Sequence, residues 1–150
     1  NKPLGTVGGV FKLQNKLNKD FILTNCDIIA NIDYTDFYRF HKSNKNDMTI
    51  IASSKSLKVP YGVIEAKENL SLSKITEKPK LNFLINIGIY VLKPSIIRYI
   101  PKNIYFDMPD LIKKLKDNNK KIGIYTIYED QWLDVGQLND YENIITSNNS

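Results

Sequence analysis

One cysteine, Cys26, and one histidine, His41, stand among the 150 residues. A single thiol excludes a disulfide framework within the chain and fits a reducing compartment, so a cytoplasmic location is expected. No apolar run approaches the ~20 residues of a membrane-spanning helix, and no basic-plus-apolar leader opens the chain. A soluble protein with no membrane partner is therefore expected. Linkers rich in glycine, serine or proline are missing, as are internal repeats, which points to one domain over residues 1–146 with a polar tail at 147–150. The net charge of +5 is carried almost wholly by lysines scattered along the chain. Nucleic-acid binding needs a concentrated basic face with interleaved aromatics, and none is visible. At 42% hydrophobic residues, the chain suffices for one packed core and little more.

What is present is an alternation of helix and strand signals. Val7, Val10, Phe11 and Leu17 fall at helical spacing after a glycine-rich turn, predicting a helix from about Val7 to Leu17. Phe21–Leu23 reads as a short buried strand. Asp36 is placed to cap a helix whose apolar stripe is Phe37, Phe40 and His41; His41 receives no catalytic role. Met48–Ala52 reads as a second buried strand. Tyr61–Ala66 and Leu72–Thr76 flank a polar turn, as an antiparallel ribbon does. Ile85–Leu92 is a long apolar strand, and Pro94 suits the first turn of a helix carrying Ile96, Ile97 and Ile100. Asp107 is set to cap a helix through Leu115, Lys121–Tyr128 forms a late strand, and Asn139–Thr146 a closing helix. This order predicts an α/β layer with a mostly parallel sheet and an antiparallel insertion.

Two acidic stops interrupt the pattern: Thr24-Asn25-Cys26-Asp27 after Phe21-Ile22-Leu23, and Trp132-Leu133-Asp134-Val135-Gly136. Each puts a carboxylate where a buried strand is expected to run out, the place where open α/β sheets gather ligands. Asp27 and Asp134, delivered there from far apart, could share one divalent cation between phosphates. Either acid alone is more often a turn former or a helix N-cap.

Six segments in order resemble the sugar-1-phosphate nucleotidyltransferases. They are Lys2-Pro3-Leu4-Gly5-Thr6-Val7-Gly8-Gly9, Thr24-Asn25-Cys26-Asp27-Ile28, Val59-Pro60-Tyr61-Gly62-Val63-Ile64-Glu65, Thr76-Glu77-Lys78-Pro79, Asn86-Ile87-Gly88-Ile89-Tyr90 and Trp132-Leu133-Asp134-Val135-Gly136. Within the family, the chain looks most like the mannose-1-phosphate and glucosamine-1-phosphate guanylyltransferases. The resemblance implies a Rossmann-like fold and attack of a sugar 1-phosphate on the α-phosphorus of a nucleoside triphosphate, with GTP the guessed donor. The products would be a nucleotide-diphosphate sugar, for glycan or surface-polysaccharide precursors, and pyrophosphate.

The same resemblance implies roles for individual residues. Asp27 and Asp134 would bind Mg²⁺, and Lys78 would contact the sugar phosphate. Glu77 and Asn86 would meet sugar hydroxyls. Tyr61 and Gly62 would line the sugar site, Gly62 letting backbone approach closely. Leu4, Gly5 and Thr6 would border the base. The bland readings stand beside these: a strand-ending turn at Thr76–Pro79, a bulge glycine at Gly62, an Asn86 that satisfies a buried backbone group, and a core Trp132. Cys26 stands where many relatives carry glycine.

Family members open with a strand, a glycine-rich loop containing Thr-Arg-Leu that wraps the triphosphate, and a Pro-Lys-Pro segment. None of these motifs occurs in the 150 residues. The chain is therefore expected to be an amino-terminally truncated, carboxyl-side portion of such a domain, inactive alone. Exposed strand edges should then make it aggregate, form a homo-oligomer, or fold only beside the missing amino-terminal portion. Two alternatives remain. One is a catalytically silent nucleotide-sugar-binding or regulatory homologue. The other is a glycosyltransferase, whose metal site usually pairs two acids one residue apart, where Asn25-Cys26-Asp27 offers one.

Overall fold

Strand directions in the central sheet turn on one strand. A computed structural model describes residues 2–137. Its sheet contains β1 (Phe21–Thr24), β3 (Met48–Lys58), β6 (Lys80–Leu92) and β7 (Ile122–Ile127), in the order β1-β6-β3-β7. β1 and β3 each pair antiparallel with β6, whereas β3 and β7 pair in parallel. Three strands thus share a direction, but the one that opposes them sits second in the sheet. The expected mostly parallel sheet is corrected to a mixed one in which two of three pairings are antiparallel. The cause is the excursion between β3 and β6. A ribbon of β4 (Val63–Ala66) and β5 (Leu72–Thr76) returns the chain beside β3 without a crossover, so it must come back antiparallel.

β3 and β6 run well beyond their apolar stretches. Their outer halves pair from Ser54↔Leu84 to Lys58↔Lys80, exposed throughout, so no burial pattern marked them in the sequence. Alternation along β6 feeds two cores. On one face Tyr90 and Leu92 pack with Met48, Ile96, Ile97, Leu111 and Leu115. On the other, Ile87, Ile89 and Val91 pack with Phe37, Ile51 and Ile127.

The expected first helix breaks into α1 (Gly5–Gly8) and a 3₁₀ turn at Gly9–Leu13. Gly8 and Gly9 each weaken a helix by about 1 kcal/mol relative to alanine, and the N–H groups of Val7 and Gly8 donate outward to Phe106 O. α2 spans Tyr34–Ser43 and is capped by Asp33, not Asp36; the Asp33 carboxylate accepts from the Thr35 and Asp36 N–H groups. Asp36 lies in the first turn, where it pairs with Arg39 and accepts from the Tyr125 hydroxyl. Pro94 opens a 3₁₀ helix, Pro94–Tyr99. Asp107 does cap α3 (Met108–Asp117), in a reciprocal box with Asp110. A second ribbon, β2 (Ile28–Ala30) with β8 (Trp132–Asp134), had no counterpart in the sequence reading. The expected helix Asn139–Thr146 and the tail lie outside the described residues. No described helix is long and apolar enough to cross a membrane.

Candidate active site

The β2–β8 ribbon brings the two acids together. Ile28 sits opposite Asp134, and Val135 N–H donates to Asp27 O at 2.9 Å. A Cβ placed on Gly136 would stand 3.2 Å from Asp134 Oδ1 and 3.3 Å from Asp27 Oδ2. Both carboxylates therefore border one small space that any larger residue would fill. Asp134 does end a strand, but that strand is the half-buried β8 of the two-stranded ribbon and not one of the main sheet. Asp27 is exposed and Asp134 half-buried. Among the described residues no three acids, histidines or cysteines gather into an all-protein cage. Two open carboxylates suit Mg²⁺, which keeps several waters and is completed by substrate phosphates.

Two clefts meet beside this pair. One, of about 390 Å³, is lined by Thr6 and Thr24–Asp27; the other, of about 220 Å³, is lined by Asn25, Asn86, Gly88, Trp132 and Asp134 among others. Asn25 borders both, and its N–H donates to Gly88 O at 3.0 Å. Gly88 has φ +84°, and a Cβ there would lie 2.6 Å from Asn25 Nδ2, so the glycine leaves room for that side chain. Asn86 is largely committed inside β6: its Oδ1 accepts from Gly88 N–H at 3.0 Å, and its amide donates to Tyr90 Oη at 2.8 Å. One amide hydrogen remains for a ligand. Burial pushes the Tyr90 phenol above its ordinary value, against the hydrogen bond from Asn86.

Leu4, Gly5 and Thr6 are clamped to the start of α3. Phe106 N–H donates to Leu4 O at 3.0 Å, and Thr6 N–H donates to Asp107 Oδ1 at 2.8 Å. Thr6 Oγ1 donates to the same oxygen and accepts from Met108 N–H. Gly5 has φ +76°, and a Cβ there would meet Asp107 Oδ1 at 2.7 Å. The Thr6 backbone bond holds the Asp107 carboxyl below its usual range, with Tyr105 adding to the effect. Of these three residues only Thr6 lines the first cleft.

Tyr61, Gly62, Glu77 and Lys78 form a separate exposed cluster at the end of the β4–β5 ribbon. Lys78 N–H donates to Tyr61 O at 3.2 Å, and Lys78 Nζ lies 3.9 Å from Glu77 Oε1. A Cβ on Gly62 would stand 3.0 Å from Glu77 Oε2. Neither cleft beside the acids includes any of the four.

Sequence reasoning overlooked three participants. In the sequence Asn25 belongs to a motif that gives it no role, Asp107 carries only the signal of a cap, and Trp132 that of a core residue. Trp132 lines the second cleft, and its indole N–H is buried without a partner among the described residues. No periodicity could have revealed these roles, since each depends on a chain segment that arrives from elsewhere.

The chain belongs to the family described as Nucleotidyl transferase, whose profile matches residues 1–149. It is 33% identical to a mannose-1-phosphate guanyltransferase of Yarrowia lipolytica, covering 93% of this chain and 40% of that protein. It is 32% identical to a UTP–glucose-1-phosphate uridylyltransferase of Synechocystis, covering 93% of this chain and 38% of that one. Among solved structures, HddC from Yersinia pseudotuberculosis superposes with a TM-score of 0.63 at 25% identity, over 95% of this chain and 62% of its own. The chain thus spans about two-fifths of the curated relatives it matches.

Proposed function

We propose that these residues serve a sugar-1-phosphate nucleotidyltransferase, moving a nucleotidyl group from GTP to a sugar 1-phosphate such as mannose 1-phosphate and releasing pyrophosphate. The convergence of Asp27 and Asp134 over Gly136, at the meeting of two clefts, carries this reading. Such a transfer asks a protein to align two polyanions and offset the charge that builds on their oxygens. Mg²⁺, held by Asp27 and Asp134, would supply that neutralisation. Thr6, in the first cleft with Asp27, would border the base together with Leu4 and Gly5. Lys78 would meet the sugar phosphate as a mobile cation, and Glu77 would accept from sugar hydroxyls. Gly62 lets Glu77 lie against the backbone, since a side chain there would displace the carboxylate. Asn86 keeps one amide hydrogen for the sugar, and Trp132 adds a wall of the same cleft.

The reading assigns triphosphate wrapping to sequence outside the 150 residues, because no Thr-Arg-Leu loop lies within them. The test is pyrophosphate release by the complete protein with GTP and mannose 1-phosphate or glucosamine 1-phosphate, and with UTP and glucose 1-phosphate. Asp134→Asn is expected to lower kcat on the order of 10²-fold, and the 150-residue chain by itself to show no turnover. An Asp134→Asn protein as fast as its parent would sink the acid-pair assignment. Nucleotide-sugar binding without turnover in the complete protein would favour a silent binding homologue.

A further inference from the structure

At the other end of the central sheet lies a second pocket that the transfer reaction leaves unused. Asp20 precedes β1, Asn46 and Asp47 precede β3, and Lys93 follows β6; Phe21 and Met48 both pair with Leu92, so these ends coincide. The last turn of α2 adds His41 and Lys42. These two, with Asp20, Lys45, Asn46 and Lys93, enclose about 130 Å³.

The polar groups inside are fixed and incompletely satisfied. His41, Asn46 and Thr49 are all essentially inaccessible to solvent. Asn46 Nδ2 donates to Thr49 Oγ1 at 3.0 Å, and that hydroxyl lies 2.8 Å from His41 Nδ1. A buried hydroxyl proton needs an acceptor, and Nδ1 is the one beside it, so Thr49 donates to Nδ1. The neutral ring then carries its hydrogen on Nε2. Burial keeps the ring below its ordinary pKa, against Asp20 and Asp47 and together with Lys93 and Lys42. Nε2 has no hydrogen-bond partner among the described residues, and neither has Asn46 Oδ1. Asp20 Oδ2, at 3.5 Å from Nε2, is engaged by Lys42 Nζ at 2.9 Å. The Asn46 amide lies over Gly123 of β7, in the space that a side chain there would need.

The pocket wall therefore combines a buried imidazole N–H and a buried amide carbonyl, neither with a hydrogen-bond partner among the described residues, with three ammonium groups and the Asp20 carboxylate. Lys93 pairs with Asp47 at 3.2 Å, and Lys45 makes no ion pair among the described residues. The lysines repel a metal cation. An oxyanion that still carries a proton satisfies every group: its charged oxygens take Nε2–H and the ammoniums, and its hydroxyl donates to Asn46 Oδ1. Phosphate near neutral pH is such a species, whereas sulfate has no proton to give. We propose that this pocket binds a phosphate-class oxyanion, as a site separate from the acid pair.

The test follows the His41 imidazole by ¹H–¹⁵N correlation in the complete native chain, its signal assigned by loss in His41→Gln. Inorganic phosphate and pyrophosphate are titrated without divalent metal, beside sulfate and sodium chloride at matched ionic strength. A saturable shift with phosphate or pyrophosphate is expected, weaker with sulfate, and weakened about tenfold in Lys45→Gln, an exposed position whose loss leaves the fold intact. The tighter of the two phosphates identifies the natural form. No saturable shift, an equal response to sodium chloride, or an unchanged affinity in Lys45→Gln would each overturn the proposal and leave only water in the pocket.

Discussion

His41 couples folding to pH. Its imidazole is held neutral in the folded chain by burial, so its pKa lies below the ordinary value of about 6.5 that it regains on unfolding. Between those two values the unfolded chain binds more protons, and stability rises with pH. The contribution is complete above about pH 6.5 and is lost as pH falls toward the folded pKa. No other side chain is a histidine, and the Asp47 carboxylate is depressed further by its bonds from Lys121 N–H and Lys93 although burial opposes them. Asp47 thus stays ionised across this window. The urea midpoint is expected to fall between pH 7.5 and 5.5 by an amount worth roughly 1 kcal/mol or less; a midpoint that stays level would show the ring exposed. At this scale Asp27 and Asp134 were legible in the sequence, because acids that interrupt apolar runs stand out locally. Asn25 and Trp132 were not, because an amide and an indole look the same in a core and in a cleft until the opposing wall is known.

Within the elements, β6 shows how a strand is shaped for a site. Gly88 at φ +84° admits the Asn25 side chain, and Asn86 bridges the same residue to the Tyr90 hydroxyl. Gly88→Ala would combine an unfavourable backbone conformation with a methyl 2.6 Å from Asn25 Nδ2. A loss of about 1–3 kcal/mol is expected in urea denaturation, along with displacement of Asn25 from the rim of both clefts. Full stability in that variant would refute the fit described here. Elements with strong local chemistry were legible: α3 through its Asp107 cap, and the β4–β5 ribbon through its polar turn. The helix expected over Val7–Leu17 was not formed, since apolar spacing matched but two glycines and an outside acceptor at Phe106 O outweighed it.

For the molecule as a whole, strand alternation correctly signalled an α/β layer, while pairing direction depended on a return path that no single segment encodes. β1 is an edge of the described sheet, with Ile22 at 40% exposure. Ile64, Ile75, Phe83 and Leu84 are likewise exposed on the ribbon and the outer arms. Open edges and uncovered apolar side chains favour self-association. The 150-residue chain is expected to sediment as a concentration-dependent mixture of monomer and larger species, and Phe83→Lys to shift that mixture toward monomer. A single monomeric boundary at all concentrations would contradict this.

The bond from Thr6 to Asp107 spans 101 positions. A chain made from its amino end at roughly 5–20 residues per second leaves Leu4–Thr6 waiting some 5–20 s before its dock exists. During that interval the segment is bare to chaperones and to neighbouring chains, and Thr6 joins the lining of the first cleft only after the start of α3 has been made. The motif that begins this sequence is thus among the last parts to find its place, and newborn chains are the population in which it is most open to capture.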